Sequence, residues 1–182
     1  MNTVLSRDPW MARLPRTGSV VPYLDWLVHT GSLTARLRAR CPRFGVRLLG
    51  QRLALPMPDE RRVLGLRRGE LAWVRQVLLL CGGEPVVFAH TVLPRDDVRG
   101  AWPMFAGLGA RPLGELLFTD PGIRRLPFRY QRIASASPLW AAARAGLDQV
   151  PDELWARRSL FCRRGGRLLV TEAFLPSILS LP

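Results

Sequence analysis

The chain has 182 residues, 48% of them hydrophobic, which suits one compact domain burying roughly 70% of the surface its unfolded chain exposes. No apolar run approaches the ~20 residues that span a bilayer, and Arg7, Asp8, Arg13 and Arg16 break up the N-terminus, so neither a membrane anchor nor a signal peptide is expected. The formal charge is +13 and all 27 basic residues are arginine, yet they are spread along the chain without a dense basic tail; a compositional bias explains this better than a nucleic-acid partner, and none is expected.

Residues 1–21 read as an irregular, Pro- and Arg-punctuated arm, and 22–182 as a single domain. Pro22 opens a helical stretch over residues 23–28. Thr30-Gly31-Ser32 interrupts it, and Thr30 or Ser32 can cap a second helix running to Arg40 with Leu33 and Leu37 on one side. Two short helices with a break suit a lid, or any antiparallel helix pair. Phe44 to Leu55 is strand-like, and Pro56, Pro58 and the charged Asp59-Glu60-Arg61-Arg62 read as a loop or short turn. Leu71–Leu80 and Val86–Leu93 flank Gly82-Gly83, the signature of a hairpin with a primed turn.

Pro112 begins a helix through Phe118 that ends at Asp120-Pro121-Gly122. A further strand is expected from Arg125 to Ser135 and a short alanine-rich helix from Pro138 to Leu147. A second hairpin, Leu154–Arg163 and Arg167–Leu175, turns at Gly165-Gly166. Strands that come as hairpins, without long crossover helices, indicate an α+β fold with an antiparallel sheet. Cys41, Cys81 and Cys162 are three widely spaced cysteines with no CxxC pair, and are expected to be reduced thiols packed as small apolar residues. No nucleotide, metal or nucleophile-elbow motif occurs, so no cofactor and no metal are expected.

Alternation along the strands singles out buried charges. Arg75 shares a face with Leu71, Trp73, Val77 and Leu79, and an arginine there is either paired or aimed at a cavity. With Gly82-Gly83 as a two-residue loop, Arg75 falls opposite His90; like charges so placed make sense around an anion or with a neutral histidine. Glu172 lies on the face of Leu168, Val170 and Phe174, with Arg157, Ser159 and Phe161 across the second hairpin. Glu172 is therefore either an internal partner of Arg157 or a pocket carboxylate that acts on a ligand.

Five segments in order resemble one family. Residues 24–37 (LDWLVHTGSLTARL), Trp73 to Pro85 with Thr91-Val-Leu-Pro94, residues 112–119 (PLGELLFT), Leu154 to Ser159 and Leu169 to Pro176 are similar to segments of chorismate pyruvate-lyases. The resemblance implies a roughly six-stranded antiparallel sheet whose helices cover an internal aromatic-acid site. It implies a cofactor-independent lyase converting chorismate to 4-hydroxybenzoate and pyruvate, the first committed step of ubiquinone biosynthesis, in a cytoplasmic and monomeric protein. The family's ligand contacts fall on Arg75, Leu113 and Glu172, and a fourth, usually methionine, on Leu33. His90 stands where the family often carries arginine. Arg75 and Glu172 are thus expected to be catalytic, and Leu33, His90 and Leu113 to bind substrate beside them, Arg75 gripping the ring carboxylate. The alternative is a non-catalytic aromatic-acid sensor of the same fold. Only about twenty residues precede the first helix, fewer than a helix-turn-helix module needs.

Overall fold

The computed structural model describes residues 9–147, 149 and 151–182. Its strands are β1 (Phe44–Ala54), β2 (Ala72–Cys81), β3 (Glu84–Pro94), β4 (Arg124–Arg125), β5 (Arg129–Ala134), β6 (Glu153–Arg163) and β7 (Gly166–Phe174). They form one antiparallel sheet in the order β1-β2-β3-β7-β6-β4, with β5 also pairing β6. The expected α+β class and antiparallel sheet are present. The seventh strand arises because the stretch read as one strand from Arg125 is broken by the Pro127 region into β4 and β5.

Helices cover both faces. On one side lie α1 (Leu24–Val28), α2 (Leu33–Arg40) and α4 (Leu113–Thr119); on the other lie α3 (Pro58–Leu64) and α5 (Pro138–Arg144). The first layer packs Trp26, Leu27, Leu33 and Leu37 on Val77, Leu79, Val87 and Phe174. Leu113 and Leu117 join a neighbouring cluster with Phe105, Phe161 and Leu168. The opposite layer packs Leu139, Trp140 and Ala143 on Leu78, Phe88, Ala156 and Ala173. Ser32 caps α2 by accepting the Ala35 N–H.

Three sequence expectations are corrected. The charged stretch at 58–64 is the helix α3: Pro58 starts it, the Glu60 carboxylate takes the Met57 N–H at 2.9 Å, and Gly65 ends it at φ 74°. Of the expected arm, residues 1–8 lie outside the described residues; beyond them Trp10 is buried, Met11 bridges Tyr130, and a 3-10 helix runs from Gly18 to Tyr23. Cys41 and Cys81 form a disulfide, because the β1–β2 register sets Phe44 opposite Cys81 just after Cys41 caps α2; Cys162 is free. The second hairpin turns at Arg164-Gly165, both at positive φ, with Gly166 already opposite Arg163.

The register of the first hairpin matters most for function. The turn is at Gly82-Gly83 with Cys81 opposite Glu84, but the pairing slips between Leu79 and Leu80, leaving Val86 as an extra residue. Pro85 has no N–H to give the ladder, which suits a bulge there. One inserted residue inverts the faces beyond it. Arg75 therefore pairs with Thr91, and His90 pairs with Gln76.

Candidate active site

Two rows of cross-strand partners floor a pocket beneath α1, α2 and α4. Arg75, Thr91, Val170 and Ser159 lie side by side on β2, β3, β7 and β6, and Val77, Ala89, Glu172 and Arg157 form the next row. Leu33 and Leu113, the first residues of α2 and α4, close it from above, and Phe118, Arg125 and Phe128 wall one side. The space between atoms is about 610 Å³, counting the open mouth. Thus Leu33, Arg75, Leu113 and Glu172 are brought together around one cavity.

His90 is not among them. Its side chain lies on the opposite face, 3% exposed, with Nε2 2.9 Å from Glu60 and Nδ1 3.3 Å from Gln76. The expected contact between His90 and a ligand in this pocket is corrected, and the cause is the bulge at Val86.

Arg75 is 2% exposed. One Nη donates to the carbonyls of Gly109 and Arg111, each at 3.0 Å, while Nε is buried without a partner. Among the described residues no carboxylate lies within ion-pair distance of it. Desolvation pulls its pKa down to about 10, which leaves it cationic at neutral pH. A buried cation held by carbonyls alone is costly unless an anion joins it.

Arg157 is the opposite case. It is 1% exposed; Nε donates to Glu172 at 2.6 Å, and Nη1 donates to the carbonyls of Trp26, Leu27 and His29. Those carbonyls end α1, so one side chain satisfies a helix terminus and orients the pocket carboxylate. Glu172 is thus the partner of Arg157 and a pocket-lining group at once. Arg125 donates to the Thr30 carbonyl at 2.6 Å, with its guanidinium 4.4 Å from the Phe128 ring. Sequence reasoning passed over Arg125, which it placed at the start of a strand, although an arginine two residues before Pro127 and near Phe128 carries no apolar alternation to explain.

The helices α2 and α4 touch closely. A Cβ on Gly114 would lie 2.7 Å from Thr34 Oγ1, so glycine lets α4 approach α2. Arg38 pairs with Glu115 between the same helices, and Arg36 pairs with Asp25 while stacking on Trp26.

The pocket residues comprise three arginines and one glutamate, a surplus of two positive charges, framed by aromatic and aliphatic side chains. That combination suits a small ring compound with more than one acidic group. No helix among the described residues is long and apolar enough to cross a membrane.

Solved structures share the architecture. The C-terminal domain of PhnF superimposes with a TM-score of 0.56 at 16% identity, covering 74% of this chain and 84% of that one. The ligand-binding domain of a GntR-family transcriptional regulator from Bordetella bronchiseptica gives 0.51 at 22% identity, over 74% and 85%. These likenesses concern the fold alone. Sequence relatives are nearer. A probable chorismate pyruvate-lyase of Aromatoleum aromaticum is 53% identical over 185 residues, 96% of both chains. One from Azoarcus is 50% identical over 181 residues, covering 97% of this chain and 95% of its own. The family model described as chorismate lyase matches residues 12–181, and with relatives this similar the chain belongs to the chorismate lyase family.

Proposed function

We propose that the protein is a chorismate pyruvate-lyase, releasing 4-hydroxybenzoate and pyruvate from chorismate without a cofactor. The observation that carries this reading is Arg75: a buried guanidinium with, among the described residues, no partner for Nε and no carboxylate within ion-pair distance, in a pocket that also holds the Arg157-oriented Glu172. Chorismate is a dianion with a ring carboxylate, a hydroxyl on the para carbon and an enolpyruvyl ether on the carbon beside it. Arg75 takes the ring carboxylate, and Glu172 accepts the hydroxyl. Leu33 and Leu113 press the ring from the lid side.

In the reaction the C–H bond at the hydroxyl-bearing carbon breaks, and its electron pair becomes a ring double bond. The neighbouring C–O bond breaks and its pair leaves with the enolpyruvyl oxygen. Protonation of that fragment's methylene carbon gives pyruvate, and the ring is aromatic. Because aromatisation drives the step, the chain's contribution is to hold the reactive conformer away from water. The same reading makes the protein a cytoplasmic monomer supplying 4-hydroxybenzoate to ubiquinone biosynthesis, with no nucleic-acid partner.

The test is to incubate purified protein with chorismate and follow both products. Equimolar 4-hydroxybenzoate and pyruvate, abolished by Arg75→Ala, support the reading. A folded protein that binds 4-hydroxybenzoate but makes no product would instead be an aromatic-acid sensor.

A further inference from the structure

With His90 on the far face, the pocket's second acidic group on the substrate needs another cation. Resting on the lyase reading, we propose that Arg125 binds the carboxylate of the enolpyruvyl side chain, and so makes the site select the dicarboxylic substrate over its monocarboxylic product.

The three pocket arginines are not equivalent. Arg157 is paired with Glu172 through Nε and donates through Nη1 to three carbonyls. Arg75 lies among the carbonyls of Gly109 and Arg111, two strands away from Glu172 across β3. Arg125 has one carbonyl partner, Thr30, and among the described residues no carboxylate within ion-pair distance. Its guanidinium sits 4.4 Å from the Phe128 ring and 5.5 Å from the Phe118 ring, and Phe128 is also 4.4 Å from the Arg157 guanidinium. Arg125 therefore stands one ring away from the group that holds Glu172.

Substrate chemistry then sets the assignment. The ether lies on the carbon next to the hydroxyl, so its carboxylate projects beside whichever group receives that hydroxyl. If Glu172 receives it, the cation alongside that is not already paired is Arg125. Charge balance agrees: the ring carboxylate answers Arg75, Glu172 answers Arg157, and the second substrate carboxylate answers Arg125. Burial lowers the Arg125 pKa first, the Arg157 charge lowers it further and Glu172 opposes them, as expected of a cation without its own anion. Its flat fork, braced by two aromatic faces, suits a planar carboxylate better than a flexible ammonium would.

The experiment is to compare Arg125→Gln and Arg125→Lys with the wild type, measuring kcat and KM for chorismate and, separately, the Kd of 4-hydroxybenzoate by tryptophan fluorescence. The expected result for Arg125→Gln is a KM raised about 10–100-fold with product affinity within about twofold, the span of one charge-assisted hydrogen-bonded contact; Arg125→Lys recovers part of the loss. Equal losses for both ligands would mean that Arg125 only pins the Thr30 linker, and an unchanged KM would mean that it binds nothing; either overturns the assignment. Should the wild type turn over no chorismate, the lyase reading fails by itself. The Arg125 assignment is then still decided by whether Arg125→Gln weakens chorismate binding more than 4-hydroxybenzoate binding.

Discussion

Arg157 and Arg158 are neighbours on β6, yet they project to opposite faces of the sheet and into two different kinds of electrostatics. Arg158 is 3% exposed and meets Asp59 of α3 at 2.7 Å; beside it His90 meets Glu60 of the same helix. On that face each of these basic side chains faces an acid, and the helix over them supplies it. On the other face Arg157 has Glu172, but Arg75 and Arg125 donate to carbonyls, and among the described residues no carboxylate lies within ion-pair distance of either. The same residue type is structural where a partner comes with the fold and is available for a ligand where it does not. A buried arginine is therefore read by what faces it, not by its burial.

The contrast is sharpest in variants that exchange activity for stability. Arg75→Met keeps most of the side-chain volume and removes an unpaired buried charge. Turnover of chorismate is expected to fall by 10³-fold or more, about 4 kcal/mol of transition-state binding, while the melting temperature holds or rises. A melting point that drops by more than 10 °C would show that Arg75 is a strut of the pocket face and would collapse the distinction. Glu172→Gln stands between the two faces, being both paired and pocket-lining. We expect kcat to fall by roughly 10²-fold, together with a loss of about 1–2 kcal/mol as Arg157 loses its charge partner, read from kinetics and denaturant melts on the same preparation. Lost stability with unchanged kcat would make Glu172 a sheet partner only.

On the opposite face Glu60→Ala removes the carboxylate that accepts the Met57 N–H and lies 2.9 Å from His90 Nε2. A cost of about 2–3 kcal/mol is expected, or a melting temperature lower by about 5–10 °C for a domain of this size. KM and kcat for chorismate should stay within about twofold at a temperature where the variant is folded. Changed kinetics there would mean that the two faces communicate through the sheet.

Much of this architecture was legible in the sequence because hairpins announce themselves twice, by alternation and by turn residues. Arg75 and Glu172 stood out since a charge in an apolar stripe has few explanations, and both do line the pocket. His90 was misplaced by a single residue: alternation says which residues share a face within one strand, but the relation between strands depends on the bulge at Val86. Pro85 beside the turn was the available signal. α3 was hidden because one of its two buried residues, Glu60, is charged, which leaves Leu64 too little apolar company to show a helical period. The Cys41–Cys81 bond depends on the β1–β2 register, which spacing along the chain does not carry. Arg125 lay in a two-residue strand, too short for any periodicity.

The smallest effect belongs to the linker that joins the lid to the unpaired face. The His29 carbonyl is held by Arg157 at 2.7 Å and the Thr30 carbonyl by Arg125 at 2.6 Å, so the lid hinge rests on two cations. The His29 ring itself is only partly buried. Desolvation, then the charges of Arg36 and Arg157, lower its pKa below the usual 6.5, and Asp25 opposes them. A group with a depressed folded pKa that is cationic when protonated favours the closed lid while neutral. As pH falls below 6.5, the freed linker takes up the proton more readily than the closed one, and closure weakens. Release of bound 4-hydroxybenzoate, followed by stopped-flow fluorescence, should therefore speed up by about twofold between pH 7.5 and pH 5.5, and His29→Gln should flatten that slope. An equal slope in the variant would move the acid sensitivity elsewhere. A slope that vanishes in His29→Gln but persists in Arg125→Lys would tie it to the linker's own charge, leaving the ligand-facing arginines free to serve the substrate alone.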